Sequence, residues 1–141
     1  MIKIRLARNK KELKQAFEIR NIVFGGEQKI PREIDFDGKD KEAKHALVFY
    51  NNLPIGCARI RFIDKKAKLE RIAIIKKHRG KGFGNALVSY LISYCKRIKA
   101  KEIYFDSQYH ARDFYTKIGF KTRGKPFSEA GIKHIEMYLK T

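Results

Sequence analysis

The chain has 141 residues, 43% of them hydrophobic, and its 33 Lys and Arg against 15 Asp and Glu give a formal charge of +18. This length suits one domain with one core, and no apolar run is long enough to cross a bilayer. The N-terminus alternates apolar and charged residues, unlike a signal peptide, so we expect a single cytoplasmic domain over residues 1–141. The charge leaves nucleic acid or a polyanionic ligand open as partners, although the basic residues are scattered along the chain.

Two isolated cysteines, Cys57 and Cys95, form neither a metal-ligand spacing nor a disulfide framework. Both lie inside predicted elements, where small apolar side chains are expected. The sequence therefore predicts buried thiols and no metal site.

The first part of the chain predicts a strand, a helix and a long polar connection. Alternation over residues 2–6 indicates a half-buried strand. Asn9, with Glu12 three residues later, caps a helix expected over 10–23, which ends at two glycines. Residues 25–43 are polar and include the acidic side chains Glu27, Glu33, Asp35, Asp37 and Asp40. This segment is either a solvated loop or the mouth of a site that accepts a cation.

The rest of the chain predicts an alternation of strands and helices. Strands are expected over 46–50, 53–63, 69–75, 103–105, 120–123 and 132–139, and helices over 83–100 and 109–118. The first three strands form a meander through tight turns at 51–52 and 64–66. The order predicts a mixed α/β domain, with helices packed on a largely antiparallel sheet.

A glycine-rich basic segment, residues 78–84, separates the third meander strand from the following helix. Glycine lets the backbone approach a ligand closely, and the free N–H groups of a helix's first turn favour an anion. The glycine spacing matches neither the dinucleotide fingerprint nor the nucleoside-triphosphate loop. The segment therefore predicts a phosphate site of another kind.

Arg79, Gly82 and Gly84 follow the spacing Arg-x-x-Gly-x-Gly, which resembles the acetyl-CoA loop of the GNAT superfamily of N-acetyltransferases. The strand at 70–74 resembles the superfamily's pantetheine-binding strand. The segment 111–120 resembles its signature helix A-x-x-F-Y-x-x-x-G-F. The resemblance implies the GNAT fold, a central mixed and mostly antiparallel twisted sheet flanked by helices.

Further segments are similar to one GNAT branch, the ElaA/YjcF-like acyltransferases. They are Phe-x-x-Glu-Gln-x-x-Pro at 24–31, Ala-Arg-Ile-Arg at 58–61, Ser-Gln at 107–108 and the tail at 124–137. Together the matches cover nearly the whole chain. The branch implies an acyl-CoA-dependent transferase and implies no particular acceptor; the basicity of this chain departs from the branch and leaves an acidic or polyanionic acceptor open.

The resemblance implies acetyl-CoA as co-substrate, with no metal. It places the CoA pyrophosphate on the loop residues Arg79, Gly80, Lys81, Gly82, Phe83 and Gly84. It pairs the pantetheine arm with the backbone of the strand residues Ile72, Ala73 and Ile74. Only the main chain of that strand is implied, because its side chains are expected to pack in the core.

Amine acetylation needs an acid for the leaving thiolate and a base for the amine. The resemblance makes Tyr115 the candidate acid; the alternative is a packing tyrosine. Glu70 is a candidate base, or else a strand carboxylate in an ion pair. His134 shares a strand face with Glu136 and is a second candidate base, or else a hydrogen-bonded structural histidine.

Four polar residues are expected on the acceptor side: Gln28, Arg59, Arg61 and Gln108. Arg59 and Arg61 share one strand face, so both could meet a carboxylate or phosphate of the substrate. The alternative is that these arginines are solvated.

The sequence thus predicts acetyl transfer from acetyl-CoA to a small-molecule amine by direct attack. One alternative is acetylation of a protein lysine or N-terminus, supported by the charge alone. Another is a non-enzymatic nucleic-acid-binding module, for which no basic stripe interleaved with aromatic residues is found. A monomer or a homodimer is expected.

Overall fold

The computed structural model describes residues 1–141. Seven strands form one sheet: β1 (Ile2–Leu6), β2 (Lys44–Tyr50), β3 (Leu53–Ile63), β4 (Lys66–Ile74), β5 (Glu102–Gln108), β6 (Lys121–Glu129) and β7 (Ile132–Lys140). Four α-helices flank it: α1 (Lys10–Arg20), α2 (Arg32–Asp35), α3 (Phe83–Arg97) and α4 (Arg112–Ile118). None of them is long and apolar enough to span a membrane.

The sheet has the order β1-β2-β3-β4-β5-β7-β6, and every neighbouring pair except β4–β5 is antiparallel. The predicted meander turns are confirmed. Asn51 and Asn52 have φ values of 50° and 68°, and Asp64 and Lys65 have 50° and 66°. Two consecutive left-handed residues suit the right-handed twist of the strands they join.

The one parallel pair, β4–β5, is short. Its register joins only Ala67 to Ile103 and Lys68 to Tyr104, although both strands continue beyond these pairs. A bulge also interrupts the β3–β4 pairing next to Arg71, which has a φ of 55°. The sheet therefore opens between β4 and β5, with unpaired backbone facing the gap.

Helices cover both faces of the sheet, and a separate apolar cluster lies under each. On one face α3 packs through Leu87, Val88 and Leu91 in a core of 18 buried residues. On the other, α1 contributes Ala16 and Ile19 to a core of 8 buried residues. The α/β fold predicted from the element order and the family resemblance is confirmed, and both cysteines are buried as expected.

Three local predictions are corrected. The helix expected over 10–23 is α1, capped by Asn9 as predicted, followed by a π-helix over Asn21–Glu27 that runs through the two glycines. The polar connection is not structureless, because it contains α2. The loop expected between the last two strands belongs to β6, which has a bulge between Arg123 and Phe127.

Candidate functional site

The glycine loop joins β4 to α3 through a short 3-10 turn at Lys76–His78. Gly80 and Gly82 have φ values of 76° and 85°, a region that side-chain-bearing residues rarely adopt. The N–H groups of residues 80–85 donate to no protein acceptor, and the first backbone bond of α3 is Ala86 N–H to the Gly82 carbonyl. The loop and the first turn of α3 therefore present a run of free donors suited to a phosphate.

Arg79 fixes the start of this loop. Its Nε donates to the Ile74 carbonyl at 2.8 Å, and its two terminal nitrogens donate to Glu27 at 2.6 and 2.7 Å. Arg79 thus joins the end of β4 to the last residue of the π-helix. At the other end of the loop, Gly84 faces Phe114 of α4.

A cavity of about 230 Å³ opens where β4 and β5 separate. Strands β4, β5 and β7, the π-helix region and α4 all contribute to its lining. Five of the predicted site residues are brought together here: Gln28, Glu70, Gln108, Tyr115 and His134. Ile72 also lines it, whereas Ala73 and Ile74 are buried on β4 beside it.

Gln28 and Gln108 meet across the cavity although they are 80 residues apart in the chain. The Gln108 amide donates to the Gln28 side-chain oxygen at 2.8 Å, and a longer bond of 3.5 Å runs in the other direction. The π-helix delivers Gln28 to this position, and such helices occur frequently at functional sites.

His134 lies on β7 opposite Gln108 and stacks on Phe127 with ring centroids 5.9 Å apart. Its Nδ1 is 2.7 Å from the Ile132 carbonyl oxygen, and a carbonyl can only accept, so Nδ1 carries the proton. The neutral ring then has its lone pair on Nε2, which has no protein partner. His134 thus makes a structural hydrogen bond through Nδ1, while Nε2 of the same ring is free to accept a proton.

Tyr115 projects from α4 into an aromatic group. Its ring lies 4.5 Å from that of Phe105 and 5.0 Å from that of Phe114. Burial raises the pKa of Tyr115 to about 12, so the phenol keeps its proton at neutral pH. The hydroxyl has no protein hydrogen-bond partner and remains free to donate to a bound group.

Glu70 lines the cavity, but its carboxylate is already occupied. Arg61 donates to it at 2.6 and 3.1 Å, and Arg59 donates at 3.1 Å. Burial opposes ionisation of Glu70, but the hydrogen bonds from Arg61 and the charge of Arg59 outweigh it and lower the pKa of this carboxyl. A carboxylate so paired is a weak base, so the geometry matches the ion-pair alternative and counts against Glu70 as the catalytic base.

Arg59 and Arg61 are corrected as acceptor-binding residues. Arg59 is completely buried, with Asp37, Asp40 and Glu70 around its guanidinium at 2.9 to 3.1 Å. Neither arginine lines the cavity. Their shared strand face does meet a carboxylate, as the sequence suggested, but the carboxylate belongs to the protein.

The acidic connection completes this buried network, and four of its residues, among them Asp35, also line the cavity. Asp35, only 3% exposed, binds Arg20 at 3.2 Å and Arg71 at 2.9 Å. Four arginines (20, 59, 61 and 71) thus face four carboxylates (35, 37, 40 and 70). The network neutralises itself and holds the connection against the sheet.

Sequence reasoning missed the other charged groups of the cavity. Lys68, Asp106 and Glu129 line it from three different strands. Only the alternation along β5, which places Asp106 on the same face as Gln108, could have indicated one of them.

Comparisons with known proteins agree with this geometry. Residues 15–141 match the family described as the acetyltransferase (GNAT) domain. The chain is 35% identical to the uncharacterized N-acetyltransferase YjcF of Bacillus subtilis over 133 residues, 94% of this chain and 95% of that protein. The crystal structure of Escherichia coli ElaA superposes with a TM-score of 0.88 at 27% identity, covering 98% of this chain and 99% of ElaA.

A second similar structure is a GNAT family acetyltransferase from Elizabethkingia anophelis with acetyl-CoA bound. Its TM-score is 0.77 at 18% identity, covering 99% of this chain and 98% of that one. The chain thus belongs to the GNAT acetyltransferase family. Within that family it belongs to the ElaA/YjcF-like branch.

Proposed function

We propose that the protein transfers the acetyl group of acetyl-CoA to the amine of a small molecule by direct attack. The observation that carries the proposal is the juxtaposition of two features. A loop of free backbone donors stands at the end of β4, and the cavity with Tyr115 and His134 lies beside the same strand.

The chain's own groups fit the CoA half of the reaction. The free N–H groups of residues 80–85 and the positive end of α3 would hold the pyrophosphate, with Lys81 adding charge. The edge of β4 over residues 72–74 has no strand partner on the β5 side and would bond the amides of the pantetheine arm. Arg79 would support the loop from its bonds to Ile74 and Glu27.

Acetyl-CoA supplies an acetyl thioester, and four side chains would serve its transfer. His134 Nε2 would accept the proton of the acceptor ammonium, because a protonated amine has no lone pair for attack. The Tyr115 hydroxyl would donate its proton to the departing thiolate. The raised pKa of Tyr115 is partly offset, since the same burial raises the proton affinity of a thiolate beside it. Gln28 and Gln108 would orient the acceptor.

A small molecule is favoured as the acceptor because the cavity is enclosed on several sides and measures about 230 Å³. Transfer to a protein lysine or N-terminus has only the net charge in its support. The same is true of a nucleic-acid-binding role, since Arg59 and Arg61 are buried in the network. A cytoplasmic location and a monomeric or homodimeric state stay predictions.

The test combines acetyl-CoA binding, measured by calorimetry, with thiol release against a panel of primary amines. Micromolar binding and release with at least one amine are expected. Tyr115→Phe and His134→Gln should bind acetyl-CoA as the original protein does and lose about a hundredfold in kcat, the usual contribution of an acid or a base. Absence of acetyl-CoA binding would contradict the proposal. Full turnover by either variant would remove that residue from the mechanism.

A further inference from the structure

The charge of the cavity differs from that of the whole chain. The protein carries +18, yet the cavity lining contains four carboxylates and only two Lys or Arg side chains. Two of these carboxylates, Asp35 and Glu70, are neutralised by the buried arginine network. Asp106 and Glu129 are not part of that network, so they determine the charge that an acceptor meets.

Asp106 has only one weak partner of opposite charge. Lys68 Nζ is 3.9 Å from its carboxylate and is shared with Glu70 at 3.8 Å. Glu129, the last residue of β6, forms no ion pair. Both side chains line the same cavity.

The strand register sets a second carboxylate directly against Asp106. Asp106 of β5 pairs with Glu136 of β7, and Arg123 binds Glu136 at 3.0 Å. Like charges directly opposite each other destabilise a sheet. Burial raises the pKa of Asp106; the charge of Lys68 opposes this shift, and the nearby carboxylates of Glu129 and Glu136 add to it. This arrangement costs stability in the folded protein and would be relieved by a cation placed at Asp106.

The same register places Asp106 close to the candidate base. Gln108 pairs with His134, so Asp106 and His134 are diagonal neighbours on one face of the β5–β7 pair. Diagonal neighbours in an antiparallel pair are roughly 7–8 Å apart. An acceptor whose reacting nitrogen lies at His134 would therefore reach Asp106 with a second group. That group would be about four or five bonds from the reacting nitrogen.

We propose that Asp106 selects acceptors that carry a second positive charge, so that the preferred substrates are diamine-like molecules. The inference rests on the proposed acetyl transfer and names its acceptor class. It reverses the expectation of an acidic or polyanionic acceptor, because the arginines that would bind such a molecule are bonded to the protein's own carboxylates.

The test compares three acceptors that differ only in the group opposite the reacting amine: putrescine, butylamine and γ-aminobutyrate. The expected order of kcat/KM is putrescine, then butylamine, then γ-aminobutyrate. Putrescine should exceed butylamine by about tenfold, the size of one charge-assisted hydrogen bond. In Asp106→Asn the ratio of putrescine to butylamine should fall close to one. The matched control Asp64→Asn, in the exposed β3–β4 turn, should keep the original ratio.

Binding of putrescine, followed by calorimetry with and without acetyl-CoA, separates the two proposals. Weaker binding by Asp106→Asn than by Asp64→Asn supports the role of Asp106, whether or not turnover is seen. Equal binding by the two variants, or a preference for γ-aminobutyrate, overturns it while leaving acetyl transfer intact. Failure to bind acetyl-CoA would instead contradict the proposed function.

Discussion

The two ends of the proposed site would recognise their ligands by different means. The donor end consists of backbone: free N–H groups on a loop whose glycines hold φ values of 76° and 85°. The acceptor end consists of side chains, with His134, Tyr115 and Asp106 brought together from three elements. A backbone site depends on local conformation, whereas a side-chain site depends on the whole sheet. The two ends should therefore respond differently to substitution.

The largest expected effect is on stability. It distinguishes Arg59, in the buried network below the acceptor end, from Arg79 at the donor end. Arg59→Met should lower the free energy of unfolding by about 3–5 kcal/mol, because it leaves buried carboxylates without their partner. Arg79→Met should change it by less than about 1 kcal/mol, because its ion pair with Glu27 is partly exposed. Urea unfolding measures both.

Acetyl-CoA affinity should show the opposite order. Arg79→Met should weaken it, while whatever fraction of Arg59→Met remains folded should bind normally. If Arg59→Met were as stable as the original protein, the buried network would not hold the fold as described.

Gly82 gives the next largest effect, confined to the donor end. Gly82→Val should weaken acetyl-CoA binding about a hundredfold, because a β-branched residue resists a φ of 85° and would move the loop amides. Gly124→Val is the matched control, since Gly124 has a φ of 79° and equally open space on the edge strand β6. Both variants should lose similar stability, and calorimetry should find the affinity loss in Gly82→Val alone. Equal losses of acetyl-CoA affinity in the two variants would mean that backbone strain anywhere in the fold weakens binding, and not displacement of the loop amides.

A smaller effect on stability is expected when the pH is lowered. The hydrogen bonds from Arg59 lower the pKa of Asp37 in the folded protein. For Asp40, burial opposes ionisation, but Arg20 and Arg59 outweigh it and lower its pKa as well. A carboxyl with a lowered folded-state pKa stabilises the fold above its unfolded value, near 4, and loses that contribution as the pH falls.

Thermal unfolding between pH 7 and pH 3 tests this expectation. The melting temperature should stay level down to about pH 4 and then fall, and Asp37→Asn should fall less steeply from a lower starting point. A melting temperature that rises on acidification would contradict the ion-pair account of the connection.

The difference between the two ends also explains what the sequence could predict. The glycine loop, the strand before it and the α4 segment are each continuous stretches of sequence, so their resemblance to GNAT motifs indicated the donor end. Arg59 was misassigned, and the two alternatives for Glu70 could not be separated, because burial and partners 11 to 22 residues away are not visible in a local pattern. Asp106 was missed because its importance depends on the opening between β4 and β5, which only the pairing of those strands reveals.

The most direct test of the account is a backbone-amide NMR titration with CoA. The largest shift changes should occur at the N–H groups of residues 80–85, which have no protein acceptor in the structure. Amides of the buried network around Arg59 should change little. Binding of CoA that leaves the loop amides unchanged, or that shifts the network amides most, would contradict a backbone-built donor end.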